Sequence, residues 1–152
     1  MELIVAAVGQ RMPAWIAEGW ESYRRRMPPH LSMRLIEIPS AARLAGRQAT
    51  DRESEMLLAK TPAAHRIALD PDAKGWSTAR LARELEGWQQ NGRPVCFYIG
   101  GATGLSDALI TGCDQRWSLG PLTLPHMLVR VVVAEQLYRA WTILTNHPYH
   151  RA

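Results

Sequence analysis

The sequence predicts an α/β fold built on a mainly parallel sheet flanked by helices. Three observations carry this: five short β-rich apolar runs, segments of helical period between them, and glycine or proline breaks at the changeovers. Because strands and helices alternate along the chain, the strands are expected to be parallel, joined by crossover helices.

Glu2–Val8 is the first strand, closed by Gly9. Pro13 to Met27 places Trp15, Ile16, Gly19, Trp20 and Tyr23 at helical spacing and stops at Pro28-Pro29. Leu31 to Ile38 alternates, with Met33, Leu35 and Glu37 on one face and Arg34, Ile36 and Ile38 on the other. Ala41 to Lys60 reads as a polar helix, and Ser40 to Thr50 within it as the most mobile stretch, since it has little periodicity. Arg66 to Leu69 is a short strand ending at Asp70. Ser77 is the expected N-cap of a helix running to Gln90, whose apolar stripe is Leu81, Leu85 and Trp88. Pro94 to Ile99 is a buried strand ended by Gly100-Gly101. A short helix at Ser106 to Thr111, a strand near Gln115 to Leu119 and a long helix from Pro125 to Thr145 complete the chain.

The chain has 152 residues, enough for one domain, and residues 1–152 are read as a single one. A composition of 47% hydrophobic and 21% charged residues excludes disordered and fibrous classes. Apolar runs such as Ile4–Val8 and Val131–Ala134 fall far short of the ~20 residues of a membrane span. No basic segment precedes an apolar stretch at the N-terminus, so a signal peptide is not expected. Cys96 and Cys113 lack metal-site spacing, and a reducing cytoplasm is the expected compartment, with no metal. Sixteen of the eighteen basic residues are Arg and the net charge is +4, a modest bias toward polyanionic partners.

In open parallel sheets, ligands sit beyond the carboxyl ends of the strands. Here those ends carry Gly9-Gln10-Arg11, Leu69-Asp70-Pro71, Gly100 to Gly104, and Leu119 to Pro125. The glycines of Gly100 to Gly104 let a backbone approach a ligand, although a tight strand-to-helix turn accounts for them equally well. The G-x-G-x-x-G dinucleotide spacing is absent, which disfavours a nicotinamide or flavin oxidoreductase. Ser118 to His126 is an apolar, proline-stiffened loop, and apolarity there points to burial or a ligand pocket. His126 reads as a neutral residue at a helix N-terminus rather than a base. The last helix is apolar on more than one face, so it is either central or part of a homodimer interface, the reading preferred here. Glu135 and Arg139 have i,i+4 spacing and can pair. Arg24-Arg25-Arg26 reads as a solvated helix end. Asn146 to Arg151 crowds two His, a Tyr and an Arg beyond the last helix, where chemistry and a solvated tail are both open.

Three stretches together resemble one family. Leu119-Gly120-Pro121-Leu122-Thr123-Leu124-Pro125-His126, Arg130 with Glu135 to Ala140, and Asn146-His147-Pro148-Tyr149-His150-Arg151 closely resemble the RlmH family of SPOUT-class methyltransferases. Val8-Gly9, Tyr23 with Arg25-Arg26, Leu69-Asp70 with Gly75, and Ile99-Gly100-Gly101 with Gly104 extend the resemblance over essentially the whole chain. The departures are Gly120 where the family usually has Ser, Ala102-Thr103 where Pro and a polar residue are common, and a shorter Ser40 to Lys60 region.

The resemblance implies a SPOUT-type fold with a C-terminal trefoil knot. It also implies S-adenosylmethionine-dependent methylation at N3 of a pseudouridine in large-subunit ribosomal RNA, on the assembled ribosome. Leu69, Gly100, Leu119, Gly120, Pro121, Leu122, Thr123, Leu124 and Pro125 are then the expected cofactor-binding residues. Methyl transfer depends on alignment and on an available nucleophile, so the N3 proton must be removed. His150 is expected to assist that step, Arg139 and Arg151 to hold phosphate or the developing negative base, and Tyr149 to pack on the nucleobase. Expected partners are ribosomal RNA in the ribosome and a second copy of the chain, with neither membrane nor DNA among them. The rival expectation is a non-catalytic ribosome-associated RNA-binding factor with the same fold.

Overall fold

A computed structural model of the chain describes residues 1–151. In chain order its elements are β1 (Glu2–Val8), α1 (Ala14–Arg26), β2 (Ser32–Ile38), α2 (Gly46–Lys60), β3 (His65–Leu69), α3 (Thr78–Asn91), β4 (Val95–Ile99), α4 (Asp107–Gly112), β5 (Gln115–Trp117) and α5 (His126–Leu144). A short 3-10 turn, Pro148–Arg151, follows. All five strands are parallel, in the order β2-β1-β4-β3-β5.

Alternate residues of each strand feed two cores. Leu3, Val5, Ile67, Val95 and Phe97 pack under α1, α3 and α5, with Trp20, Leu85 and Leu137 among the helix partners. Ile4, Ala6, Ala68, Cys96 and Tyr98 face α2 and α4, through Leu57 and Leu109. Both faces are covered, so β1 is apolar from Leu3 to Val8 instead of alternating. The α3 helix forms as its sequence dictates: the Ser77 hydroxyl accepts from the Arg80 amide at 3.1 Å, and Gly92 ends the helix at φ 80°.

One segment departs from the sequence expectation. Residues 41–45 are not helical, and the supposedly mobile 46–50 stretch is the first part of α2. Ala41 is fully buried, and its amide donates to Glu53 Oε2 at 2.8 Å. A buried carboxylate thus holds the loop, a contact that period and propensity do not encode.

Arg130 organises the sheet's carboxyl end. It is completely buried in α5, ion-paired to Glu37 of β2 at 2.5 Å. It also donates to the carbonyls of Val8 at 3.1 Å and Gly9 at 2.7 Å. The start of α5 is therefore fixed over the ends of β1 and β2. Gly9 sits at φ 107°, a conformation that favours glycine, and a Cβ there would lie 3.0 Å from the flexible end of Met127. Since β5 lies at the opposite sheet edge, residues 118–125 must cross the ends of β3 and β4, roughly 14 Å at standard strand spacing.

Replacing Arg130 with Met leaves Glu37 and two buried carbonyls without their partner. Urea unfolding of R130M is expected to show a loss of roughly 3–5 kcal/mol; a loss under 1 kcal/mol would contradict the clamp.

Candidate active site

The sequence-predicted residues form two clusters, one at each end of α5. At the carboxyl end of the sheet, Leu69 closes β3 and Gly100 follows β4. The turn after β4 folds back through the Gly104 amide, which donates to the Gly101 carbonyl at 3.0 Å. A Cβ on Gly100 would sit 2.5 Å from the Gly104 carbonyl carbon, so the turn admits only glycine there. Ser118 leads into the crossing loop, its amide donating to the Lys74 carbonyl at 3.2 Å and its hydroxyl accepting from the Gly120 amide at 3.1 Å.

Along this loop Leu119, Gly120 and Leu124 are half-buried, while Pro121, Leu122, Thr123 and Pro125 are exposed. Leu122 is 79% exposed. Burial within the chain, one of the two expectations for this apolar loop, is therefore not what the fold provides. Its exposed part is a short apolar patch on the surface, with Leu122 the most exposed of its residues. Grooves of about 610 Å³ between α2 and α4 and about 440 Å³ beside Trp76 and Arg116 include no residue of Leu69, Gly100 or the crossing loop. The loop is thus marked by its position at the strand ends and not by a cavity.

The second cluster surrounds the tail. Asn146 turns the chain at φ 58°, and the His147 amide returns to the Thr142 carbonyl at 2.8 Å. This docks Tyr149 on α5. The Tyr149 hydroxyl donates to Glu135 Oε1 at 3.1 Å and lies 3.2 Å from the Tyr23 hydroxyl. Arg139 pairs with the same carboxylate at 2.7 Å, as its spacing predicts, and its guanidinium lies 4.9 Å over the Tyr149 ring. Tyr138 meets that ring edge-on at 4.7 Å. Arg26 is not merely solvated, since it stacks 5.1 Å from the centre of Tyr23. Arg151 donates to Asn146 Oδ1 at 3.2 Å. The buried Nδ1 of His150 has no hydrogen-bond partner among the described residues.

Burial, followed by the Tyr23 hydroxyl and the Glu135 carboxylate beside it, holds the Tyr149 phenol well above its ordinary pKa. The hydrogen bond to Glu135 raises Arg139 as well, so this cation stays charged. Burial pushes the Cys96 thiol up to about 12 and Cys113 to about 11, so neither supplies a thiolate near neutral pH.

The structure brings Arg139 to Tyr149, but it does not bring the tail to the crossing loop. From His126 to Arg139 the helix rises roughly 20 Å. Gly19 contacts Val131 and Tyr23 contacts Tyr138, so α1 and α5 run side by side in the same direction. The tail therefore lies toward the amino ends of the strands. Sequence reasoning gave no role to Tyr23, Arg130 or Glu53. Tyr23 and Arg130 lie in the resembling stretches, whereas Glu53 carries no signal within its polar helix.

Comparison with known proteins places the chain in a family. A family model described as "Predicted SPOUT methyltransferase" matches residues 1–150, and the chain belongs to that family of methyltransferases. Over 155 aligned residues it is 47% identical to the ribosomal RNA large subunit methyltransferase H of Azotobacter vinelandii, covering 99% of this chain and 100% of that one. With the protein of the same name from Pseudomonas fluorescens it shares 48% identity over 157 residues, at the same coverage. Among solved structures, a probable methylase family protein from Haemophilus influenzae Rd KW20 shares the fold with a TM-score of 0.54 and 8% identity. That match covers 97% of this chain and 69% of the other. No helix among the described residues is long and apolar enough to cross a membrane.

The raised Tyr149 pKa fixes a sign. Its protonated form is favoured on folding, so its contribution is fully present below the unfolded value of 10.0 and is lost as pH rises above it. The stability difference between parental protein and Tyr149→Phe is expected to be constant from about pH 6 to 9 and to shrink above about pH 10. A change between pH 6 and 8 in chemical denaturation would contradict this.

Proposed function

We propose that the protein is an S-adenosylmethionine-dependent methyltransferase of large-subunit ribosomal RNA, acting at N3 of a pseudouridine on the assembled ribosome. The observation that carries this is the match to methyltransferases of that RNA over the whole chain at 47–48% identity. Residues 1–152 act as one domain, in the cytoplasm and as a homodimer. The return of the chain across the ends of β3 and β4 is read as part of a trefoil knot.

Leu69, Gly100 and Leu119 through Pro125 would hold the cofactor. Exposed Leu122 and half-buried Leu119 and Leu124 suit its apolar parts, and backbone groups of the glycine turn and crossing loop would read its polar edge. Bound there, S-adenosylmethionine supplies an electrophilic methyl group on sulfur. The chain's own task is to bring a deprotonated nitrogen into line with it.

His150 is the residue proposed to accept the N3 proton, its Nδ1 having no internal hydrogen bond to give up. Arg139, fixed by Glu135 and Tyr149, presents positive charge to phosphate or to the base as it becomes anionic. Arg151 reinforces it from the adjoining turn. Tyr149 has Arg139 over its ring and Tyr138 at its edge, so any contact with the base uses what these leave free. Because both clusters cannot meet within one chain, the tail of one protomer is proposed to complete the site at the partner's crossing loop. This also doubles the basic surface available to RNA, since +4 on one chain neutralises few phosphates.

Deleting the gene is expected to remove one methyl group from a pseudouridine of the large-subunit RNA, read by mass spectrometry and restored by the parental gene. An unchanged RNA would overturn the reading. His150→Ala is expected to slow ribosome methylation at least tenfold between pH 6 and 9. A parental rate across that range would remove His150 from the proton transfer.

A further inference from the structure

Glu53 is a carboxylate buried to 3% exposure on α2, one of the largest costs a fold can carry unless every oxygen is used. Only one is. Oε2 accepts from the Ala41 amide at 2.8 Å and the Ser40 hydroxyl at 3.3 Å, while Oε1 has no hydrogen-bond partner. The free oxygen faces the glycine turn after β4: a Cβ on Gly101 would lie 3.3 Å from Oε1 and 2.9 Å from Val8 Cγ1. At the next position the Ser54 hydroxyl accepts from the Ser106 amide at 2.9 Å, beyond the same turn. The buried face of α2 thus anchors two loops with side-chain acceptors, and leaves one acceptor idle beside the turn containing Gly100.

A buried carboxylate oxygen with no protein partner calls for a physical account, and an acceptor held for a moving donor is one. We propose that Glu53 is a positioning residue for cofactor binding, its Oε1 reserved for a backbone amide of the Gly101–Gly104 turn that swings onto it when the turn closes on the cofactor. The idea rests on the reading of the chain as a cofactor-dependent methyltransferase. Glu53 is too buried to touch the cofactor, so it acts through the turn. Glycine at 101 leaves the clearance an approaching amide needs.

Glu53→Gln separates this role from a structural one. Its carbonyl oxygen can still cap Ala41, while its NH2 group replaces the idle acceptor and cannot receive an amide. Three measurements on the full-length protein decide: thermal unfolding without cofactor, calorimetric binding of S-adenosylmethionine, and hydrogen exchange at Gly101 to Thr103 with and without it. The expected result for E53Q is an unfolding temperature at or above parental, at least about tenfold weaker binding, and no cofactor-induced protection of the turn, which the parental protein gains. Glu53→Ala, lacking the Ala41 cap as well, is expected to lose stability and binding together.

E53Q that binds as tightly as the parental protein, or that melts as low as E53A, overturns the positioning role and leaves the functional reading intact. Parental protein that binds no S-adenosylmethionine overturns the functional reading itself, and the role of Glu53 with it.

Discussion

The clamp made by Arg130 is the constraint from which the rest of the arrangement follows. A fully buried guanidinium receives one carboxylate, from Glu37, and reaches two carbonyls, of Val8 and Gly9. A buried cation can be retained only where such partners converge, so the helix carrying it has one permitted seat. That seat lies over β1 and β2, although the chain has just left β5 at the far edge. The crossing loop is stretched over β3 and β4 because its two ends are fixed, by β5 pairing on one side and by Arg130 on the other. Leu69 and Gly100 belong to the ends of the two strands this apolar, proline-stiffened loop crosses.

Seating α5 this way also determines where the tail goes. The helix descends beside α1, and Asn146 folds the last residues back onto its far end, where Tyr149, Glu135, Arg139 and Tyr23 interlock. The crossing loop proposed to bind the cofactor and the cationic tail are thereby kept at opposite ends of one helix. For a methyl transfer that must bring a nucleophile, a proton acceptor and a donor together, a second copy is the economical remedy, and the proposed homodimer supplies it.

Much of the fold was legible in the sequence, since strand runs, the Ser77 cap and the Gly92 stop are local effects. The buried apolar continuity of β1 and β4 announced a sheet covered on both faces. Strand order was not legible, because periodicity states which face is buried but not which neighbour buries it. The site was legible in parts. Leu119 to Pro125 drew notice as an apolar loop and Asn146 to Arg151 as a crowded tail, yet their separation depends on the seat of α5. Arg130 and Glu53 resisted reading for one physical reason: a charged residue in a helix is normally solvated, and only the tertiary fold reveals a buried partner. Residues 41–45 misled similarly, because Glu53 holds that loop from twelve residues downstream of Ala41.

The central claim, a site shared between two copies, is tested most directly by complementation. Gly100→Ala places a Cβ against the Gly104 backbone and disables the loop; Arg139→Ala disables the tail. Each variant alone should be inactive on ribosomes. Mixed in equal amounts and allowed to exchange protomers, they should recover about a quarter of the parental activity, since half the dimers are mixed and each has one intact composite site. A mixture as inactive as its components, with exchange verified, would show that each protomer uses its own loop and tail and would contradict the account.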